Sequence, residues 1–371
     1  AATMFARRTR RLVFRPGAYR RSGDIMTDVP IAVSAAFASD NAAPAHPKAL
    51  EAIAAANDGP APSYGTDPVT RRATERLRAV FDSPQAEVLF AFTGTAANII
   101  ALSAAVRPWQ EILCSDIAHS LLDEAGGPVR LSGATLTALP SDDGFIDPAR
   151  LDRAVLRRGE VHHSQPRIVS ITQTTENGRV WQPAAIAEFI DHAHELDLLV
   201  HVDGARLANA VAALGVTPAE AIGDADIVTV GGTKNGLLFG DALLVRRPEH
   251  FAGIEFAQKQ IGHLASKHRY VSAQFEALLS GGTWLELARH ANTMAGRLSA
   301  GFSALGLRLA APTEANEVFV DLSPATLKAV REHFAVHVPD PLRPTTRFVC
   351  SWATTDDDVD AALAIVQAGC V

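Results

Sequence analysis

From about residue 65 to residue 280 the chain repeats one pattern: a short apolar run, a brief turn, then a stretch whose apolar residues recur at helical spacing. The runs Glu87–Phe92, Glu111–Cys114, Ala134–Leu139, Arg167–Thr172, Leu198–Asp203, Asp226–Val230 and Asp241–Val245 are predicted strands. Between them, Ala73, Leu77, Val80 and Phe81 share one helix face. Ile186, Phe189, Ile190, Ala193 and Leu196 share another, behind Pro183 near a helix start. Several runs are apolar throughout rather than alternating, as a sheet covered on both faces requires. The alternation therefore predicts an α/β fold with a mostly parallel, doubly wound, seven-stranded sheet.

After about residue 248 the pattern changes. Long helices run through Leu305, and then short strands (Val318–Asp321, Phe348–Ser351) alternate with helices opening at Pro324 and Asp356, which suits a small α+β domain. The expected division is a basic arm at 1–26, a segment at 27–64 packing on the small domain and a dimer interface, a large domain at 65–280, and a small domain at 281–371.

Charge and cysteine content narrow the function. The net charge is −7, yet residues 1–25 hold seven arginines and one acid, leaving 27 basic against 40 acidic residues in the rest. A body this acidic is a poor nucleic-acid binder, because neutralising phosphates takes Lys and Arg. The arm has the composition of a transit peptide, although an untrimmed or mis-started extension is the plainer reading; a secretory core at Ile31–Ala38 is interrupted by Pro30 and Asp28. Three cysteines without a CxxC pair argue against a disulfide scaffold or a thiolate metal site, and for a reducing, cytoplasmic setting. The uncharged stretch Val88–Val106 approaches membrane-span length, but Thr93, Gly94, Thr95 and Asn98 in its middle make it a strand, turn and helix.

Four features carry chemistry. GxGxxG is absent, and Gly231–Gly236 has the wrong spacing for it or for a P-loop. Phe92-Thr93-Gly94-Thr95-Ala96-Ala97-Asn98 follows a strand and opens a helix, so glycine, hydroxyl and free N–H groups suit a phosphate cup, with a plain strand–helix turn as the alternative. Asp203 ends a buried strand at the edge where α/β sheets bind ligands. A charge there needs a cationic partner, and an internal pair with Arg206 is the structural alternative. Lys234, after Gly231-Gly232-Thr233, ends another apolar strand, where a dry site lowers a lysine pKa and suits it to Schiff-base chemistry. His119 follows a strand and could stack on a planar cofactor or shuttle protons, although a lone histidine is more often structural unless the other parts converge on it. His192 and His194 lie two apart on a helix, do not share a face, and argue for no metal site.

A phosphate cup, a strand-end Asp and a strand-end Lys in that order make the site of a pyridoxal 5'-phosphate enzyme of the aspartate-aminotransferase-like fold. The chain also resembles the low-specificity L-threonine aldolases, in the branch familiar from pseudomonads. The resemblance covers roughly residues 37 to 355 and rests on Phe37–Asn41, Tyr64-Gly65, Phe92–Asn98, Ala118-His119 and Ile171–Glu176. It continues through Asp203–Arg206, Gly232–Gly236, Leu264–Lys267 and Arg347–Trp352.

The resemblance implies that Lys234 carries the cofactor, Asp203 pairs with its ring nitrogen, His119 stacks on the ring, and Gly94 and Thr95, with Thr233 nearby, hold the phosphate. Arg347 with Ser39 would clamp the substrate carboxylate, and Arg206 would bond the ring oxygen or that carboxylate. The family forms homotetramers built from dimers, so Tyr64 and Lys267 or Arg269 are expected near a neighbouring active site. Other branches carry a second histidine in the segment matching Gln173–Glu176, where Thr175 is the counterpart expected here to face substrate. The base for the substrate hydroxyl is then His119 or a water it positions. The implied activity is retro-aldol cleavage of threonine, allo-threonine or phenylserine to glycine and an aldehyde. Another reaction with the same cofactor (β-elimination, transamination or racemisation) is the alternative.

Overall fold

The structure is a computed structural model describing residues 33–369. The basic arm at 1–26 lies outside the described residues, as do Cys370 and the first residues of the 27–64 segment.

The seven runs form one sheet from β1 (Glu87–Ala91), β2 (Gln110–Ser115), β3 (Thr135–Leu139), β6 (Gln165–Thr172), β7 (Leu199–Gly204), β8 (Ile227–Gly231) and β9 (Asp241–Val245). A two-residue hairpin, β4 (Ser141–Asp142) with β5 (Phe145–Ile146), follows β3. The sheet order is β1-β9-β8-β7-β6-β2-β3. All pairs from β8 to β3 are parallel, and β9 runs antiparallel to both of its neighbours. This is the mostly parallel, doubly wound sheet expected from the apolar runs. Strands β7, β8 and β9 are buried along their whole length, since helices cover both faces.

One core face gathers Phe81, Phe90, Ile186, Phe189, Val200 and Val202, and the other gathers Ile100, Leu102, Ile112, Ile168, Ile227 and Phe251. Helix Gly94–Ala105 is apolar on nearly every side because it is sandwiched on the sheet, packing across β7, β8 and β9. Parallel strands point their carboxyl ends at one edge, where Asp203 and the turn holding Lys234 emerge together.

A third core surrounds the antiparallel pair β10 (Glu317–Asp321) and β11 (Thr345–Val349) and includes Met294, Leu298, Phe302 and Phe348. β11 begins three residues before the expected Phe348, because the polar Thr345-Thr346-Arg347 pairs with β10 as a ladder. Phe37 is inserted edge-on against Phe334 at 5.0 Å and Phe348 at 5.7 Å. Burying such a ring contributes about 2–3 kcal/mol, and it fixes where the next residues, Ser39 and Asp40, must lie. Among the described residues no helix is long and apolar enough to cross a membrane.

Candidate active site

Lys234 and Asp203 come from the ends of adjacent parallel strands. A side chain at Gly204 would collide with the Thr229 carbonyl, and one at Gly231 with the Ala205 backbone, so only glycine lets these two ends close up. The chain then turns through Thr233–Asn235, anchored where Gly240 N–H donates to Thr233 Oγ1 at 3.0 Å. No carboxylate lies within ion-pair distance of Lys234 among the described residues. Burial and the nearby Arg206 guanidinium hold its pKa below the ordinary lysine value, against the pull of Asp40, Asp203 and Glu317. A larger fraction of free amine is what a nucleophilic lysine needs.

Asp203 is held without a cation. Its Oδ2 accepts from Asn98 Nδ2 at 2.7 Å and its Oδ1 from Ala205 N–H at 3.0 Å. The expected cationic partner is thus replaced, within the chain, by an amide and a backbone N–H. The alternative pair with Arg206 is not made, because Arg206 is committed elsewhere. Asn98 Oδ1 accepts from the Thr229 hydroxyl at 2.9 Å, and Thr229 Oγ1 lies 3.0 Å from His201 Nε2. His201 Nδ1 is 2.8 Å from Ser170 Oγ. Burial depresses the His201 pKa to about 4, so this imidazole is neutral. With the Thr229 proton given to Asn98, its Nε2 is assigned as the protonated nitrogen.

The second N–H of Asn98 goes to Glu124 Oε1 at 2.9 Å, and the same oxygen lies 3.0 Å from His119 Nδ1. His119 is fixed again by its backbone N–H, which donates to Glu176 Oε1 at 2.9 Å. Its side chain remains 42% exposed, and among the described residues Nε2 makes no hydrogen bond. Asn98 stands in the second turn of the helix that opens at Gly94. Thr93 caps this helix by accepting from Ala96 N–H at 3.2 Å. The remaining first-turn N–H groups have no partner within a helix by geometry, and nothing lies within 4 Å of where a Gly94 Cβ would be. One helix therefore supplies both an open N-terminus and the amide that holds Asp203.

The opposite wall carries the arginines. Arg206 grips Asp40 through two nitrogens, at 2.7 and 3.0 Å, and Asn316 Nδ2 adds 3.1 Å to Asp40 Oδ2. Although burial raises it, the Asp40 pKa falls below the ordinary value, because the Arg206 and Lys234 charges and the hydrogen bonds outweigh desolvation. Glu317 stands between the arginines, with Oε2 at 3.5 Å from Arg206 Nη1 and Oε1 at 3.5 Å from Arg347 Nη1. Ser39 accepts from Asn41 N–H at 3.2 Å and abuts Asp40.

Of the expected residues, Lys234, Asp203, Thr233, Gly94, Thr95, His119, Arg206, Arg347 and Ser39 belong to these two walls and the turn and helix end between them. Thr175 is fully buried, and its hydroxyl accepts from Arg179 N–H at 3.2 Å, so Glu176, not Thr175, reaches His119 from this segment. Burial raises the Glu176 carboxyl to about 7 against the bonds from Thr172 and His119. Tyr64 lies on the surface, with Lys259 Nζ 4.8 Å above its ring. Lys267 is exposed, while Arg269 is tied to the Ala56 carbonyl at 2.9 Å.

Sequence reasoning missed Asp40, Asn98, Glu124, Glu176 and Glu317. Three of them sit inside the quoted motifs. Glu317 opens the apolar run Val318–Val320, and the reasoning applied to Asp203 would have marked it too.

The profile of the β-eliminating lyase family matches residues 36–325. The low specificity L-threonine aldolase of Pseudomonas sp. (strain NCIMB 10558) is 39% identical over 339 residues, spanning 90% of this chain and 97% of that protein. The solved threonine aldolase of Leishmania major superposes with a TM-score of 0.86 at 29% identity, covering 90% of this chain and 99% of that one. The Thermus thermophilus aspartate aminotransferase shares the fold at 16% identity, with a TM-score of 0.69 over 91% of each chain.

Proposed function

The chain belongs to the β-eliminating lyase family, and we propose that it is a pyridoxal-phosphate-dependent carbon–carbon lyase. It cleaves L-threonine, L-allo-threonine and related β-hydroxy-α-amino acids to glycine and an aldehyde. The observation that carries this is that a depressed-pKa lysine, a strand-end carboxylate and an open helix N-terminus come together at the carboxyl edge of the sheet.

These groups fit the cofactor. Lys234 offers an amine with no resident counter-ion, Asp203 an acceptor already oriented by Asn98, and Gly94 and Thr95 the N–H groups for a phosphate. Bound there, pyridoxal phosphate supplies a sink for the electron pair left on Cα when Cα–Cβ breaks. Asp203 keeps the proton on the ring nitrogen, which preserves that sink. Arg347, with Ser39, would hold the substrate carboxylate and so fix the orientation of the scissile bond. His119 Nε2 accepts the β-hydroxyl proton, directly or through one water.

The same reading makes Tyr64 and Lys267 contributors to a neighbouring site in a homotetramer, and divides the chain into a large domain at 65–280 and a small one at 281–371. The buried free thiols Cys114 and Cys350 suit a reducing cytoplasm.

The test is the visible spectrum of the purified protein before and after glycine. A visible band abolished by Lys234→Ala, and shifted to longer wavelength by glycine, supports the lyase. A band indifferent to glycine, or lost as the cofactor passes to its amine form, moves the reaction to another class. A protein that stays colourless with added pyridoxal phosphate overturns the reading.

A further inference from the structure

Glu124 is a buried carboxylate two residues past the short helix His119–Leu122 and has no part in the chemistry above. Its Oε1 faces two nitrogens, Asn98 Nδ2 at 2.9 Å and His119 Nδ1 at 3.0 Å. A carboxylate oxygen only accepts, so Nδ1 must carry the hydrogen. Asn98 cannot release Glu124 by flipping, since its other N–H is given to Asp203 and its oxygen receives the Thr229 hydroxyl. The His119 backbone is pinned independently by Glu176. The imidazole is therefore fixed at one edge and open at the other.

We infer that Glu124, braced by Asn98, is a positioning residue that keeps the His119 proton on Nδ1 and leaves Nε2 as the acceptor of the β-hydroxyl proton, an assignment that rests on the lyase reading above. The charged groups around the ring are Glu124, Asp203 and Lys234, with Glu176 at its backbone N–H. Their balance is in the same direction: the Glu124 bond raises the His119 pKa, with Asp203 adding and burial and Lys234 opposing. Because one amide serves both carboxylates, the acid at the ring nitrogen and the base at the hydroxyl form one hydrogen-bonded unit, Asp203–Asn98–Glu124–His119.

The experiment is Glu124→Gln in the holoenzyme, read by the acid limb of kcat/KM and by NMR titration of the His119 imidazole, assigned through its loss in His119→Asn. The expected result is a fall of about one to three pH units in the His119 midpoint, with the acid limb moving equally. The kcat plateau drops about tenfold or more while KM for threonine holds, because the weaker base affects only the proton transfer. A merely structural Glu124 would lower activity without moving either midpoint, and that result overturns the inference. Should the variant not fold, the unaltered protein decides through the nitrogen shifts of neutral His119: protonated Nδ1 supports the inference and protonated Nε2 overturns it. Failure of the lyase reading shows separately, as unaltered enzyme that cleaves no β-hydroxy amino acid.

Discussion

The crevice has two walls built on different principles. On the sheet side, Ser170, His201, Thr229, Asn98 and Asp203 form an unbroken hydrogen-bonded chain drawn from β6, β7, β8 and one helix. On the small-domain side, Arg206 is from the turn after β7, Asp40 from the N-terminal segment, and Glu317 and Arg347 from the pair β10–β11. There both Glu317 oxygens, Arg347 Nε and Asn316 Oδ1 are buried without a hydrogen bond. A buried polar group left unpaired costs about 1–3 kcal/mol, so the second wall holds unspent hydrogen-bonding capacity where the first holds almost none. On the proposed reading the sheet wall holds the cofactor ring and the arginine wall the substrate carboxylate.

The largest effect should come from breaking the first wall. Asn98→Ala deletes two hydrogen bonds to carboxylates and orphans the Thr229 hydroxyl, for a loss of about 3–5 kcal/mol in urea unfolding. A loss below about 1 kcal/mol would mean that the network is not what holds this wall.

Beside this wall the Oε2 atoms of Glu124 and Glu176 are buried without a partner, and Glu176 offers the test. Its carboxyl is raised from the ordinary 4.5 to about 7 by burial. The folded chain therefore binds this proton more tightly than the unfolded chain, and stability falls as pH rises from about 4.5 to about 7, by about 3 kcal/mol in total. Below that window both states are protonated, and above it both are ionised. Asp241, raised to about 6 by burial, contributes the same sign at lower pH. Glu176→Gln should flatten the decline specifically between pH 6 and 7 in denaturation series. An unchanged slope would show that Glu176 is ionised in the fold.

On the second wall, Arg347→Ala should lower kcat/KM for threonine about 10²-fold, the worth of a charge-assisted pair of hydrogen bonds. Arg347→Lys should recover little of it, because a point charge cannot make the two-pronged contact. Full recovery by lysine would reduce the clamp to a matter of net charge.

How much of this was legible in the sequence follows from the same contrast. The sheet wall was largely readable, because continuous apolar runs announce buried strands and Asp203 and Lys234 end two of them. Its supporting residues were hidden for a physical reason: Asn98 reads as an ordinary helix residue until the fold brings it against β7. The arginine wall draws on positions from 40 to 347, and nothing local connects Asp40 with Arg206 or Glu317 with Arg347. The resemblance alone marked Arg347, Ser39 and Arg206, while the logic of burial cost, had it been applied to Glu317 at the start of an apolar strand, would have added that residue. In the segment Gln173–Glu176, where Thr175 is the residue expected to face substrate, its hydroxyl closes the turn to Arg179 and the next residue, Glu176, meets the His119 backbone.

The smallest and sharpest effect belongs to Glu317. It is buried, it pairs with both arginines at 3.5 Å, and neither of its oxygens makes a hydrogen bond. Those distances describe charges in attraction but short of bonding geometry. A substrate carboxylate reaching Arg347 must therefore share it with a resident competitor. On Arg206 the opening is narrower, since Asp40 already occupies two of its nitrogens and only Nη1 faces Glu317. Glu317→Gln keeps the side-chain shape and removes the competing charge. The incoming carboxylate then meets a less neutralised guanidinium, and KM for threonine should fall about fivefold, the equivalent of roughly 1 kcal/mol. Glycine titrated against the visible spectrum should show the same tightening, which separates binding from catalysis. If Glu317 were instead a brace that keeps Arg347 in place, the same substitution would loosen the clamp and raise KM, and the two walls would then differ only in how completely their polar atoms are paired.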